Sequence, residues 1–310
     1  MRAVTKEYDA DDYGHPPLAL GSGEHRLPGL YGDFMVVMPL ARGGMGGVYL
    51  AEAASGARVA LKVLDSQFAD NAELVSRLEA EHAIATRTSH PGLLEIHASA
   101  RTAEDVPYLV MEYLDGETLA AIAERGPLPI DTIVSIGAQM AAALAALHAG
   151  GVVHCDVKPD NVVVLAGGKV KVVDFGVSRL VDAGPLPDGA IAGTPWCMAP
   201  EQWRGAPCTA SDVYALGCTL YLLVTGNTPF DGSLPAMMAA HLDRRPSRPS
   251  WLAALPDALE RLILRALAKR PSHRPTMDEL AQALADLVDE LAGVDTVDGS
   301  ETLVELRAVG

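Results

Sequence analysis

Positive charge is scarce in this chain. Against 40 Asp and Glu, the 310 residues carry 24 Lys and Arg, a formal net charge of −16. So acidic a chain has no general attraction for the phosphates of DNA or RNA, or for an anionic membrane surface. Neither nucleic acid nor membrane is therefore expected as a partner. A small anionic ligand is not excluded, because a few local basic groups decide that. Cysteine is sparse too: Cys155, Cys197, Cys208 and Cys218 form no C-x-x-C pair. That argues against a structural metal site or a disulfide framework, and makes a reducing, cytoplasmic compartment the expectation. The most apolar run, Val213 to Val224, is shorter than the roughly 20 residues a bilayer needs. Met1 to Leu20 is polar and acidic, without a signal-peptide pattern.

What is present is globular. Hydrophobic residues make up 49%, enough for one large domain or two lobes sharing an interface. Residues 1–30, rich in Asp, Gly, Pro and His, read as an extension with disorder expected. Residues 293–310 read as an acidic tail.

The densest polar stretch is His154 to Asn161, H-C-D-V-K-P-D-N, between the apolar pair Val152–Val153 and the run Val162–Leu165. Two acids, a lysine and an asparagine so close together suit a loop held by a scaffold, where function concentrates. A solvated turn around Pro159 and Asp160 is the plainer alternative. Downstream, Val162–Leu165 and Val170–Val173 are joined by Ala-Gly-Gly-Lys, the pattern of a tight β-hairpin. The open ends of a hairpin are neighbours, since paired strands lie about 5 Å apart. Asn161 stands at one end and Asp174 at the other, with Asp156 and Lys158 close by. Oxygen donors at one point suit Mg²⁺.

Asp174-Phe175-Gly176 reads D-F-G. Together with His154-Cys155-Asp156, Lys158 and Asn161, it resembles the catalytic core of the eukaryotic-like (Hanks-type) Ser/Thr protein kinases of bacteria. The resemblance runs from about Phe34 to Leu291. It implies an α+β, bilobal fold: a small β-rich lobe with one main helix over residues 31–113, and a larger, mostly helical lobe over 114–292. It implies ATP and Mg²⁺ as cofactors and proteins as substrates.

In the small lobe, Ala41 to Val48 (A-R-G-G-M-G-G-V) is a glycine-rich turn between strand candidates. Such a turn exposes backbone N–H groups to an anion. By resemblance it covers the ATP phosphates, with Leu40, Ala41, Gly43, Gly44, Gly46 and Val48 around the nucleotide. Ala41 replaces the family's first glycine. Lys62 interrupts Val59-Ala60-Leu61-Lys62-Val63-Leu64, and a buried lysine needs a partner; an edge strand with Lys62 in water is the alternative. The spacing predicts a helix over Asn71–Arg87, capped by Asn71 or Asp70, with Leu74, Leu78, Glu81 and Ala85 on one face. Glu81 on that face and Lys62 in the strand can satisfy one another. This matches the family's lysine–glutamate pair. Ala85 stands where the family usually has a larger side chain packing on Phe175. Tyr108–Tyr113 reads as a strand that breaks at Leu114-Asp115-Gly116. The resemblance makes this the hinge, with Ala60 and Met111 at the adenine and the backbone of Glu112 and Leu114 facing it.

In the large lobe, Ile133, Ile136, Met140, Leu144 and Leu147 mark an amphipathic helix stopped by Gly150 and Gly151. The resemblance makes His154 structural, packing under Phe175. The resemblance makes Asp156 the group that accepts the substrate hydroxyl proton, Lys158 a partner of the γ-phosphate, and Thr194 a catalytic-segment residue typical of Ser/Thr specificity. It makes Asn161 and Asp174 the metal ligands. The resemblance pairs Glu201, in Ala199-Pro200-Glu201, with Arg274. Ser211 and Asp212 are expected to cap the helix Val213–Val224, the resemblance implies that Asp212 also holds the catalytic loop's backbone, and two further helices are expected over Pro256–Arg270 and Thr276–Leu291.

One absence matters inside the resemblance. Many family members carry arginine before the catalytic aspartate, where it binds an activation-loop phosphate. Here the residue is Cys155, and between Asp174 and Glu201 the only hydroxyls are Ser178 and Thr194. A kinase of the non-RD type, independent of activation-loop phosphorylation, is expected. A basic residue elsewhere, such as Arg179, reading a phosphate is the alternative. A pseudokinase scaffold and a small-molecule phosphotransferase are the other classes. The complete set Lys62, Glu81, Asp156, Asn161, Asp174 argues against the first, and the Gly193-Thr194 and A-P-E segment against the second.

Overall fold

The structure is a computed structural model that describes residues 29–184 and 193–305, with side chains up to 293. The expected N-terminal extension, the middle of the loop around Pro185, Pro187 and Gly189, and the tail's side chains lie outside the described residues.

The first part of the chain forms an antiparallel sheet. Its strands are β1 (Leu30–Tyr31), β2 (Phe34–Arg42), β3 (Gly46–Ala53), β4 (Arg58–Leu64), β5 (Ile96–Arg101) and β6 (Pro107–Glu112), in the spatial order β1-β2-β3-β4-β6-β5. Alternation sorts β4 into two faces. Val59, Leu61 and Val63 join Tyr31, Tyr108 and Val110 in one cluster. Ala60 and Leu64 turn to the other side, towards Val75 and Leu78 of α1 (Ala72–Ala85). Lys62 shares that second face, so it points at the helix rather than into water.

Asn71 caps α1, its side chain accepting from the N–H of Glu73 and Leu74 at 3.1 and 3.2 Å. The buried residues are Val75, Leu78, Glu81 and Ile84. Leu74 and Ala85, expected on the core face, are only half-buried. A stripe stepping by three falls about 60° short of a turn at each step, so it winds across the helix. Leu74 and Ala85 are left on its flanks.

The rest is mostly helical. β7 (Gly116–Thr118) leads into α2 (Leu119–Glu124) and α3 (Ile130–Ala149). β8 (Val152–Val153), β9 (Val162–Leu165), β10 (Val170–Val172) and β11 (Arg179–Leu180) follow, forming a β10-β9-β7 sheet and a β11-β8 pair. Then come α4 (Thr209–Thr225), α5 (Leu234–Asp243), α6 (Asp257–Ala266) and α7 (Met277–Glu305). The bilobal α+β arrangement expected from the sequence is what is found.

Three boundaries differ. α4 starts at Thr209, so Ser211 and Asp212 lie inside its first turn, and Cys208 is the capping residue. Asp212 is thereby free to face the loop after β8. α6 ends at Ala266 rather than Arg270, before Pro271, which disfavours a helical residue ahead of it. α7 starts behind a reciprocal cap, Thr276 Oγ1 accepting from Glu279 N and Glu279 Oε2 from Thr276 N. It runs on through the segment read as a tail.

α3 is the core of the large lobe. A Cβ on its Gly137 would come 2.8 Å from a Leu220 methyl of α4 and 3.6 Å from a Leu284 methyl of α7. Glycine is what lets the three helices close. α3 is also, among the described residues, the one helix long and apolar enough to cross a membrane, by length and composition, and 56% of its most apolar 18-residue stretch is buried inside the domain.

Candidate active site

The β9–β10 hairpin pairs Val162 with Val172, and Val173 N donates to Asn161 O at 2.9 Å. That register sets Asn161 beside Val173–Asp174. Asn161 Nδ2 donates to the backbone carbonyl of Asp156 at 2.9 Å and to its Oδ2 at 3.0 Å. With its amide nitrogen committed, the side chain has the acceptor Oδ1 left to offer. Asp174, at φ 65°, takes Lys62 Nζ and Gly176 N on Oδ1 at 2.8 and 3.3 Å. Its Oδ2 receives no hydrogen bond from the described residues. Two hard oxygen donors thus face one cavity, and they fit Mg²⁺, which takes one or two protein oxygens besides phosphate and water.

Lys62 Nζ also binds both oxygens of Glu81, at 2.9 and 2.8 Å. Burial pulls the Lys62 pKa down, but the facing carboxylates of Glu81 and Asp174 outweigh it and leave the ammonium favoured. Burial, with the Asp174 charge adding to it, raises the Glu81 pKa against the pull of Lys62. Burial acts the same way on Asp174, yet Lys62 wins there and the carboxyl is lowered. One ammonium is shared by two carboxylates, and the more exposed of them, Asp174, stays ionised.

A cavity of about 880 Å³ opens above this cluster. Leu40, Ala41, Gly43, Gly44, Gly46 and Val48 line its roof, Ala60, Lys62 and Glu81 its back, and Met111, Glu112 and Leu114 its inner edge. Lys158, Asn161 and Asp174 line the floor. Asp156 and Thr194 stand beyond it.

The glycines of the roof do two jobs. Gly43 N donates to Gly46 O at 2.9 Å, closing the turn. A Cβ on Gly46 would lie 2.0 Å from the Val63 carbonyl, so close packing of β3 on β4 already requires glycine there. The Glu112 side chain turns away from the cavity, bound by Lys171 Nζ at 2.6 Å and Glu95 N at 2.7 Å.

Beyond the floor, Thr194 Oγ1 donates to Asp156 Oδ1 at 2.6 Å and accepts from Lys158 Nζ at 2.6 Å. Lys158 closes the ring on Asp156 Oδ2 at 2.9 Å. Burial lowers the Lys158 pKa, but Asp156 overrides it and the amine stays charged. Asp212 carries the loop from beneath. Its Oδ2 takes His154 N and lies at His148 Nε2, both 2.8 Å, while Oδ1 takes Cys155 N at 2.8 Å. His154 stacks near Phe175, centroids 5.8 Å apart. Cys155 is buried at φ 68°. Burial, with Asp212 adding to it, keeps its thiol neutral, and Arg179 opposes weakly.

The cluster of carboxylate, amide and ammonium groups beneath a glycine-rich roof has a counterpart among known proteins. Residues 34–284 match the family model described as protein kinase domain. The chain belongs to the protein kinase domain family. Bacterial serine/threonine-protein kinases are among the relatives of this kinase domain. It is 45% identical over 254 residues to serine/threonine-protein kinase Pkn1 of Myxococcus xanthus, covering 78% of this chain and 36% of that one. It is 36% identical over 249 residues to PrkC of Bacillus subtilis, 78% of this chain and 38% of the relative. It is 38% identical over 251 residues to PknD of Mycobacterium tuberculosis, 79% and 38% respectively. The chain thus spans little more than a third of the length of these relatives.

Two residues of the kinase site had no signal in the sequence. Lys171, between Val170 and Val172, reads as a solvent-facing strand lysine, yet it holds the Glu112 carboxylate. Gln202 follows A-P-E without a pattern of its own, yet it is 2% exposed.

Proposed function

We propose that this kinase domain transfers the γ-phosphoryl group of ATP, with Mg²⁺, to serine or threonine hydroxyls of proteins in the cytoplasm. The observation that carries this is the ring of Asp156, Lys158 and Thr194. It ties a carboxylate able to take a hydroxyl proton to the segment that receives a polypeptide. We assign residues 31–113 to the small lobe and 114–292 to the large lobe, flanked by the extension 1–30 and the tail 293–310.

Bound ATP supplies the phosphoryl group, and bound Mg²⁺ neutralises its charge. The chain supplies position and electrostatics. Lys62, fixed by Glu81, offers its ammonium to phosphate oxygens at the back of the cavity. Asn161 and Asp174 would hold the metal. Backbone groups of Glu112 and Leu114 meet the purine, Met111 closes the inner wall, and Leu40, Val48 and Ala60 cover its faces. Ala41, Gly43, Gly44 and Gly46 bring backbone over the phosphates. Asp156 orients the substrate hydroxyl and takes its proton, and Lys158 offsets the charge that develops beside it. Thr194, shared between them, seats the substrate segment.

We further propose that the domain is of the non-RD type and works without a phosphate on its activation segment. Cys155 offers no cation at the place where that phosphate would bind. Ser178 Oγ donates to His154 O at 3.1 Å, and Thr194 is enclosed by Asp156 and Lys158, so both hydroxyls already have internal work. The test is a radiolabelled-ATP assay on a generic protein substrate, with sites mapped by mass spectrometry. Transfer to Ser or Thr, dependent on Mg²⁺, is expected; no transfer to any protein overturns the reading.

A further inference from the structure

A kinase domain without a phosphate clamp needs something else to keep its substrate segment registered on its catalytic loop. The peptide unit between Cys155 and Asp156 is where that register is decided. The unit is planar, so whatever fixes the Cys155 carbonyl fixes the plane from which Asp156 projects. Cys155 sits in the left-handed region, φ 68°, where a residue with a Cβ is strained by about 1–3 kcal/mol and stays only if its surroundings hold it. Asp212 holds the Cys155 N–H, as described, and the unit's own N–H, on Asp156, donates to His154 Nδ1 at 3.3 Å. Among the described residues, the carbonyl side is held by the Gln202 amide, whose Nε2 donates to Cys155 O at 2.8 Å.

The same amide reaches the other way. Gln202 Oε1 accepts from Ala199 N at 3.0 Å. Its neighbourhood is tight: a Cβ on Gly193 would stand 2.7 Å from Cys155 O and 3.0 Å from Gln202 Nε2. Gly193, at φ 122°, lets the chain run directly across this bond before Thr194 meets Asp156. One buried amide therefore joins the catalytic loop, through its nitrogen, to the segment Gly193–Ala199, through its oxygen.

We propose that Gln202 is a positioning residue that couples the substrate segment to Asp156, performing with a neutral amide the registering that an arginine–phosphate contact would otherwise supply. This rests on the kinase reading above and deepens it: the coupling is built in and needs no modification. Gln202 touches no reacting atom and acts through Cys155 and Ala199.

Two variants test it on the full, phosphatase-treated chain. Gln202→Leu removes both bonds at similar volume. Its kcat should fall roughly tenfold or more, the effect of losing a buried hydrogen-bonded link, while KM for ATP stays unchanged. Hydrogen–deuterium exchange should rise together in peptides covering 154–158 and 193–199. Gln202→Glu keeps an acceptor for Ala199 N and puts an oxygen in place of the nitrogen that faces the Cys155 carbonyl. As a carboxylate it repels that oxygen; as a neutral acid it can donate to it. Its rate relative to wild type should be depressed at pH 8 and recover towards pH 6, which a packing role would not produce. Wild-type rate and unchanged exchange in Gln202→Leu, or a rise in one segment only, overturns the proposal. If Gln202→Leu proves unfolded by thermal melt, the Glu variant decides, and a flat pH ratio overturns it. Should wild type itself transfer no phosphate, the kinase reading fails, and the paired exchange response still reads the coupling.

Discussion

Lys62 Nζ lies 2.8 Å from Asp174 Oδ1, a residue 112 positions further along the chain. The contact crosses from the small-lobe sheet to the end of the β9–β10 hairpin. Lys62→Met and Asp174→Asn should therefore each abolish phosphoryl transfer. Neither should unfold the domain, because Asp174 is half-exposed and Lys62 packs on a helix capped independently. Initial rates and circular dichroism on the two variants check this; full activity in either contradicts the assignment.

Glu81 and Glu79 sit on the same helix with different fates. Glu81 is 2% exposed and bound to Lys62, while Glu79 meets Arg101 at the surface at 3.0 Å. Glu81→Gln should lower kcat by tenfold or more, and Glu79→Gln should leave it within about twofold, since surface ion pairs contribute at most about 1 kcal/mol. Equal losses in one assay would show that the helix face has been misassigned.

Arg274 grips Glu201 through two parallel bonds of 2.6 and 2.9 Å, with Ser211 Oγ adding a third at 2.7 Å. The pair is buried, so removing one partner strands the other charge. Arg274→Met should destabilise the domain by about 3–5 kcal/mol, measured as a shift of the urea midpoint at constant slope. Restored stability in the double variant Arg274→Met, Glu201→Leu is expected too, since a buried pair replaced by apolar groups is often neutral.

Protein freed of phosphate, with its unmodified state confirmed by mass spectrometry, should keep its initial rate. A large loss that returns with phosphate on Thr194 or Ser178 contradicts the phosphate-independent reading. It would also require breaking the Thr194–Asp156 contact or the Ser178–His154 contact.

Acid should weaken the fold through His241. The ring is fully buried against Phe230 and Tyr214, whose hydroxyl lies 2.9 Å from Nδ1. Burial, then the nearby Lys269 charge, push its pKa from 6.5 down to about 3. Between those values the unfolded chain holds a proton the folded one refuses, so stability rises with pH across that window. It is fully present above pH 6.5 and is lost as pH falls towards 3. His241→Gln should show a shallower decline of Tm between pH 6.5 and 4.5 than wild type. Identical slopes would show that His241 is not a contributor.

The outline of this fold was readable because its periodicities are strong. The helical spacing of Leu74, Leu78 and Glu81 put a carboxylate on the core face where the strand lysine Lys62 could meet it, and Asn71 caps the helix as its side-chain chemistry requires. The hairpin pattern alone put Asn161 near Asp174. What local pattern missed was long-range. Locally Asp212 fits a cap, and only the family resemblance tied it to the catalytic loop, because its partners, His148, His154 and Cys155, lie 57 to 64 residues away. Gln202 and Lys171 have no local pattern, since their partners come from other elements. The winding stripe on α1 replaced Leu74 and Ala85 by Val75 and Ile84, because which apolar neighbour is buried depends on how the helix lies on the sheet.

The packing of α3 has a consequence for how the domain is made. Its apolar flank waits for Leu284 on α7, at the far end of the folded region. At bacterial synthesis speeds that partner leaves the ribosome on the order of ten seconds later. During that interval a helix apolar enough for a lipid bilayer is bare in water. Nascent chains halted before Met277 should then be captured by chaperones or aggregate, whereas chains extended past Leu287 should not.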